Sequence, residues 1–553
     1  MASWGISCEI AGMPYLIDAL VILAYFGIII GIGLSQRSKS GSLEGFTLGD
    51  RQIAWWAVLA SILAAEISAG TFFGAPGEGY ALRNYTYIQL MAGYLLARLV
   101  VSAVFIPNYY RYGVVSVYEF LGIRFGPLTR RWASGIFLIT RLLASGSRLW
   151  VPTVILVLGW KLFVNPDTTP MQEFWLYAAA LVGITVLTAI YTTLGGIRAV
   201  IWTDVIQIGV LFSALGFALW YLLSHTGGWG ALEGAIQEPM VIDWGRPDPA
   251  HPGAWGWVKG ILETEYTIWA AFIGSTFVTL ATHGTDQDMV QRMLTAKNKR
   301  QSGVATILSG VCDIPVNFMV LSIGILLYVY FQANPAELLP KNAAGAVDSS
   351  QVFPYFILNV MPQGLRGLVV AGVLATAMGS LSTALNSLAT SYARDFHFRW
   401  FGEPDTDAGQ VRVLRFSTVL FAFLLIAVAL ATAWVKAHNP SLRIIPIILG
   451  VFGYTYGSLL GVFMVGLFTK TRGNDLGNGL GMLAGFLVVA YLSGLDQGLA
   501  ATVGWGQGIS RPDWMPVVEF PWRIFFGTVV TFAVAVSFPT SLGMQRHRYL
   551  AEK

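Results

Sequence analysis

Among the ionisable residues inside or at the edges of long apolar runs, Glu66, Arg141, Arg148, Asp204 and Asp313 are the candidates for chemistry. Charge at membrane depth is costly, so each calls for a counter-charge, a watery cavity or a ligand. Glu66 lies in ASILAAEISAGTFFGAPGEGY, Ala60 to Tyr80, an apolar stretch that loosens into Gly70, Gly74, Pro76, Gly77 and Gly79. An interrupted helix is tolerated in hydrocarbon only where it is buried in protein or lines water. Its freed carbonyls can hold a cation, and the amides of the following half-helix can hold a polar solute, here with Ser68 and Thr71 at hand. The competing reading is a Gly-rich loop that begins a few residues early.

Hydroxyls form a second set. In AGVLATAMGSLSTALNSLATS, residues 371–391, a helix of about 100° per residue puts Thr376, Ser380, Thr383 and Ser387 in one stripe, widened by Ser382, Asn386 and Thr390. Leu374, Leu381, Leu385 and Leu388 gather opposite. Close helix packing explains many such stripes. Hard cations want several oxygens, however, and hydroxyls facing the carbonyls of a broken helix would supply them. Asp204, in AVIWTDVIQ, could add a formal charge or snorkel to the interface. Arg141 and Arg148 share a helix face, and a guanidinium fork suits a carboxylate in bidentate geometry. Glu66 and Asp313, the latter followed by Pro315, could instead neutralise these arginines internally. Glu66 also permits proton rather than sodium coupling, because a buried acid can exchange a proton near neutrality.

The elements that must position these residues are membrane helices. The chain has 553 residues, 55% hydrophobic and 12% charged, with 19 Trp. A soluble domain carries about 25% charge, so this composition excludes one. A net charge of +4, scattered along the chain, does not describe a nucleic-acid binder. Two cysteines, Cys8 and Cys312, make a disulfide framework or a cysteine metal site a poor fit. The first Arg, Arg37, follows the first apolar run, so that run reads as a retained helix rather than a signal peptide.

Apolar runs of about 20 residues or more fall near 14–34, 53–75, 86–106, 133–162, 173–195, 201–224, 257–283, 304–332, 364–392, 412–435, 444–469, 475–495 and 520–542. The expectation is an all-α polytopic membrane protein of about 13 transmembrane helices. With the N-terminus out and the C-terminus in, the inward loops hold about 21 basic residues, among them Arg111, Arg130, Arg131, Arg300 and Arg548, against about seven outside. Longer outward loops near 226–256 and 334–362 can form lids or short helices. Tyr266 to His283 is loosened like the opening stretch, with Gly274, Ser275, Thr276, Thr279 and Thr282. The two loosened segments lie five runs apart and therefore enter from opposite sides, as a five-plus-five inverted repeat requires.

Taken together, AAEISAGTFFGAPGEGY at 64–80, VYEFLGIRFG at 117–126, GGIRAVIWTDVIQ at 195–207, GTDQDMVQRMLTAK at 284–297 and ATAMGSLSTALNSLATSYARD at 375–395 make a specific set. In them the chain resembles the sodium/solute symporter family of sodium/galactose, sodium/proline, sialic acid, iodide and monocarboxylate carriers. The resemblance implies a LeuT-type core, with one extra first helix at 14–34, a first repeat at 53–224, a second at 257–469 and two C-terminal helices at 475–542. It implies Na⁺ as the co-transported ion, held by the carbonyls of Ala64, Ile67 and Thr376 and by the Ser380 hydroxyl. Gly379 stands where the family usually has a second hydroxyl. A second sodium site, present in some members, would match Asp204, Ser382 and Thr383. The sugar positions of the galactose carriers do not carry over: Gly70 and Thr71 replace the polar pair after the break, and Thr279 and Thr282 stand near the expected Asn and Tyr. The sialic acid branch meets its substrate's carboxylate with an Arg on the helix that here carries Arg141 and Arg148.

The expectation is a sodium-coupled symporter of the inner or plasma membrane that imports a small polar, carboxylate-bearing solute. Glu66, Ser68, Thr71, Arg141, Arg148, Thr279, Thr282 and Asp313 are the candidate solute residues. Alternatives are a sugar substrate, proton coupling through Glu66, or a solute sensor that does not transport. No metalloenzyme spacing or nucleotide loop occurs, so neither an enzyme nor an organic cofactor is expected. The partners are solute and bilayer, without nucleic acid; the sequence leaves the oligomeric state open, and a monomer is compatible with it.

Overall fold

A chain in hydrocarbon must satisfy its backbone internally, and this one does so with helices. The computed structural model describes residues 15–36, 41–163, 165, 167–237, 242–251, 253–335, 339–341, 345–438, 444–495 and 512–540. Cys8, Arg37, Lys39, Arg546, Arg548 and Lys553 lie outside these residues. Among the described residues, strand-like pairing is limited to three isolated bridges. Nine helices among the described residues are long and apolar enough to span a bilayer, or ten if one sharply bent pair counts as a single span.

The main helices are α1 (Leu16–Ser35), the bent pair α2 (Trp55–Glu66) and α3 (Ala69–Leu82), α4 (Leu90–Val100), α5 (Pro127–Arg148), α6 (Trp150–Phe163) and α7 (Pro170–Thr226). They continue with α8 (Ser275–Gly284), α9 (Gln287–Met293), α10 (Lys299–Ala333), α11 (Leu365–Tyr392), α12 (Asp407–His438), α13 (Ile444–Phe468), α14 (Asp475–Leu492) and α15 (Phe520–Val536). Short helices at Trp229–Ala235 and Ser349–Asn359 occupy the long loops, as expected of them, while a third, Ala254–Leu262, takes up the start of the expected run 257–283.

α11 is the central post. Within its apolar window 89% of residues are buried, against 22% for α1. Its hydroxyl stripe and its leucine face are therefore both inside the protein, the stripe towards α2 and α7. α7, at 57 residues, would run about 85 Å if straight, far more than one bilayer. It turns at Gly196, whose φ of 56° and ψ of −152° leave the helical region, so the expected runs 173–195 and 201–224 flank a kink. A Cβ at Gly196 would meet the Phe46 carbonyl oxygen at 2.5 Å.

The opening stretch departs from expectation in one respect. Its glycines do not unwind it, because Gly70 to Gly79 are helical within α3. They serve close approach instead: a Cβ on Gly79 would fall into the carbonyl of Leu321 on α10. The reading of an early Gly-rich loop is thereby overturned. The second loosened segment holds a π-helical turn at Ala270–Gly274 before α8, and its Gly274 packs on Pro521.

Gly196→Ala should lower the unfolding temperature of the purified protein, at a cost of about 1–3 kcal/mol for a strained backbone plus the Phe46 clash. Gly183→Ala, in the same helix with open space around it, should be neutral or slightly stabilising.

Candidate functional site

Two hydrogen bonds make the break between α2 and α3. In an unbroken helix the Ser68 N–H would bond to the Ala64 carbonyl; here it bonds to Glu66 O at 2.9 Å. The Thr71 N–H, which would bond to Ile67 O, goes to Ser68 Oγ at 3.4 Å, and the axis bends by 64°. The carbonyls of Ala64 and Ile67 thus lose their helical donors, and these are the two carbonyls singled out from the sequence.

Facing them is Gly379 on α11. A Cβ there would lie 3.4 Å from Ala64 O, 2.9 Å from Gln207 Oε1 and 3.6 Å from Asp204 Oδ1. The last two oxygens and Ser380 Oγ are buried without a hydrogen-bond partner. Oxygens converging in a dry place suit a small hard cation. The Thr376 hydroxyl donates to Val373 O at 2.7 Å, and those of Ser382 and Thr383 donate to Gly379 O. Each keeps lone pairs for a further contact.

Asp204 does not snorkel. It is fully buried, with Oδ2 accepting from Ser61 Oγ at 2.6 Å and from Arg292 at 2.8 Å. Arg292 is fully buried too and also bonds to the Ser61 carbonyl and hydroxyl. The ion pair occupies one carboxylate oxygen and leaves the other aimed towards Gly379.

The remaining charges are sorted differently from the expectation. Glu66 and Asp313 do not neutralise Arg141 or Arg148. Both pair with Arg98 of α4, at 2.7 Å for Asp313, and Glu66 also bonds to His283 Nε2 at the end of α8. Arg141 is held by Asp286 and by Asp288 at 2.9 Å, with the Tyr456 hydroxyl against Asp286. Its fork is thus engaged within the protein. Arg148 stacks its guanidinium 4.7 Å over Phe452, and no carboxylate pairs with it among the described residues. Thr282 bonds back to Val278 O at 3.1 Å, and Thr279 is buried one turn before His283. Ser68 Oγ and Thr71 Oγ1 stand 3.5 Å apart at the head of α3.

Arg98, Gln207, His283, Asp286, Asp288 and Arg292 are missing from the sequence-derived candidates. Arg98 alone carried a signal of the kind used for the others, a charge inside an apolar run. Asp286, Asp288 and Arg292 sit on or beside the short helix α9, whose burial within the protein has no periodic signature.

The sodium:solute symporter family model matches residues 46–485, most of the chain. The chain belongs to this family. It is 28% identical to the sodium/sialic acid symporter of Aliivibrio fischeri over 86% of this chain and 87% of that one. It is also 28% identical to the sodium-dependent multivitamin transporter of Oryctolagus cuniculus, over 96% of this chain and 78% of that one. The solved structure of a Na⁺-coupled sialic acid symporter, substrate-bound and outward-open, aligns with a TM-score of 0.73 at 23% identity, covering 94% of this chain and 97% of that one. The symporter is accordingly an integral membrane protein with the LeuT-type fold, a transporter and not an enzyme.

Removing one partner of the buried Asp204–Arg292 pair should cost about 3–5 kcal/mol, so Arg292→Met should sharply lower the unfolding temperature. Combining it with Asp204→Asn should recover much of the loss, since the uncompensated charge is then gone.

Proposed function

We propose that this symporter uses a sodium gradient to import a small carboxylate-bearing solute by alternating access. The observation that carries the reading is the oxygen cluster between the α2–α3 break and α11. Sodium would sit among the carbonyls of Ala64, Ile67 and Thr376 and the Ser380 hydroxyl, with Gln207 Oε1 filling the space left by Gly379. Asp204 Oδ1, with the lone pairs of Ser382 and Thr383, would serve a second ion. Residues 53–224 and 257–469 are the two repeats that rock against each other, with the N-terminus outside. Sodium stabilises the arrangement of α2 and α11 that accepts solute, and joint occupancy then favours inward opening.

Arg148 supports a carboxylate. Its neighbour Arg141 has two acidic partners, whereas no carboxylate pairs directly with Arg148 among the described residues, and a substrate carboxylate would complete it. Sialic acid, the substrate named for the Aliivibrio relative and the aligned structure, carries one carboxylate. Ser68, Thr71, Thr279 and Thr282 would meet the solute's hydroxyl or carbonyl groups. Arg141, Glu66 and Asp313 hold the walls rather than the ligand.

A thermal-shift screen of the purified protein against carboxylates, amino acids, sugars and vitamins, with and without sodium, should find stabilisation by a carboxylate that grows with sodium. Stabilisation by a neutral sugar alone would overturn the substrate class. For the solute so found, Arg148→Lys should weaken uptake affinity about 10–100-fold, the loss of one bidentate charged contact, with sodium dependence retained. Ser380→Ala and Gln207→Leu should do the reverse, raising the sodium needed for half-maximal uptake several-fold with solute selectivity unchanged.

A further inference from the structure

α7 and α12 turn most of their apolar surface to the bilayer, with only 39% and 33% of their apolar windows buried. Between them they leave a groove of about 350 Å³ that shares no residue with the ion and solute sites. Its α7 wall runs from Thr185 to Leu194 and its α12 wall from Val419 to Ile426. The exposed lining is wholly apolar, the Thr185 hydroxyl being turned back to the Leu181 carbonyl at 2.7 Å. Ala189 and Ala422 supply the room, and Phe423, 68% exposed, stands beside them. A polar solute or a water molecule would find no hydrogen-bond partner there.

The groove has the depth of one leaflet. From Pro170 to its turn at Gly196 the first arm of α7 rises about 39 Å at 1.5 Å per residue, more than the ~30 Å of hydrocarbon, so the turn marks a membrane surface. Leu194 stands beside that turn, and Thr185 lies about 14 Å deeper, near the midplane. A helix from a second copy of the chain would need the whole thickness, whereas an acyl chain of one leaflet needs this half.

The surface end is positively charged. Arg412, Arg415, Val419, Ala422 and Ile426 recur every three or four residues, so one face of α12 carries both the groove wall and two arginines. The Arg415 guanidinium donates to the Leu194 carbonyl at 3.4 Å, which holds it at the mouth of the groove. Arg412, one turn nearer the start of α12, is exposed, and no carboxylate pairs with either arginine among the described residues. We infer that this groove is a site for one anionic phospholipid, with an acyl chain between α7 and α12 and the headgroup on Arg412 and Arg415. The orientation proposed above turns this end to the cytoplasm, the leaflet in which anionic lipids concentrate. The binding itself depends neither on that orientation nor on the sodium site.

Native mass spectrometry of the full chain in detergent, titrated with phosphatidylglycerol or with phosphatidylcholine of the same chains, tests it. A basic residue at the membrane surface is worth about fivefold in affinity for an anionic lipid, so one phosphatidylglycerol should bind about 25-fold more tightly than phosphatidylcholine. Arg412→Gln should lower that preference about fivefold, and adding Arg415→Gln should abolish it. Because Arg412 is exposed, its single variant still decides the matter if the double variant fails to fold. Ala189→Phe, which fills the groove, should weaken the binding of both lipids. Glycerol phosphate, which has the anionic group without chains, should not compete. Equal affinity for the two lipids, a preference unchanged in Arg412→Gln, undiminished binding in Ala189→Phe, or competition by glycerol phosphate overturns the proposal. So does a dimer that Ala189→Phe splits, because the groove is then a contact between copies of the chain.

Discussion

The structure depends on one helix that stops after Glu66 and restarts at Ala69. The stop is chemically exact in its consequences: Ser68 takes over two hydrogen bonds, and the carbonyls of Ala64 and Ile67 are released beside α11. Released carbonyls in a dry interior need a positive partner. The small residues of α11 let the broken turn approach closely, and Gly379 leaves room for Gln207 and Asp204 to reach the same point. The position where a side chain is missing is therefore filled from a third helix.

Charge pairing organises the rest. Arg98, Arg141 and Arg292 each tie acids from other parts of the chain: Arg98 joins Glu66 and Asp313, Arg141 joins Asp286 and Asp288, and Arg292 joins Asp204. Such pairs are not a cheap way to stabilise a protein, because desolvation offsets most of the attraction. Their value here is specificity, since each pair requires particular helices to be in register around the break. Arg130, Asp395, Glu119 and Arg394 make a comparable brace between α5 and the end of α11, with Asp395 fully buried and bonded to Ser116 and Ser134. Arg148 stands apart, resting on Phe452 with no directly paired acid among the described residues.

Much of this was legible beforehand. Hydrophobic runs marked the membrane helices, since hydrocarbon thickness imposes a length that a sequence cannot hide. The motifs at 64–80 and 375–395 located the break and the hydroxyl stripe, and the family match over residues 46–485 agrees with them. The sequence also marked Glu66, Asp204, Asp313 and the two arginines of α5 as residues needing an explanation, because charge in an apolar run is rare and costly.

What the sequence could not assign was the partner of each charge. Glu66 and Asp313 looked available to Arg141 and Arg148, and they belong to Arg98; Asp204 looked terminal, and it lies fully buried against Arg292. Glycines that read as the cause of the break turned out to permit packing on α10, with the bend itself made by Ile67 and Ser68. The reason is the same in every case. Periodicity and composition report a residue's own helix and its depth, which are local properties. Ion pairs, freed carbonyls and the Gln207 contact depend on which helices lie side by side and at what height, and only the tertiary structure decides that.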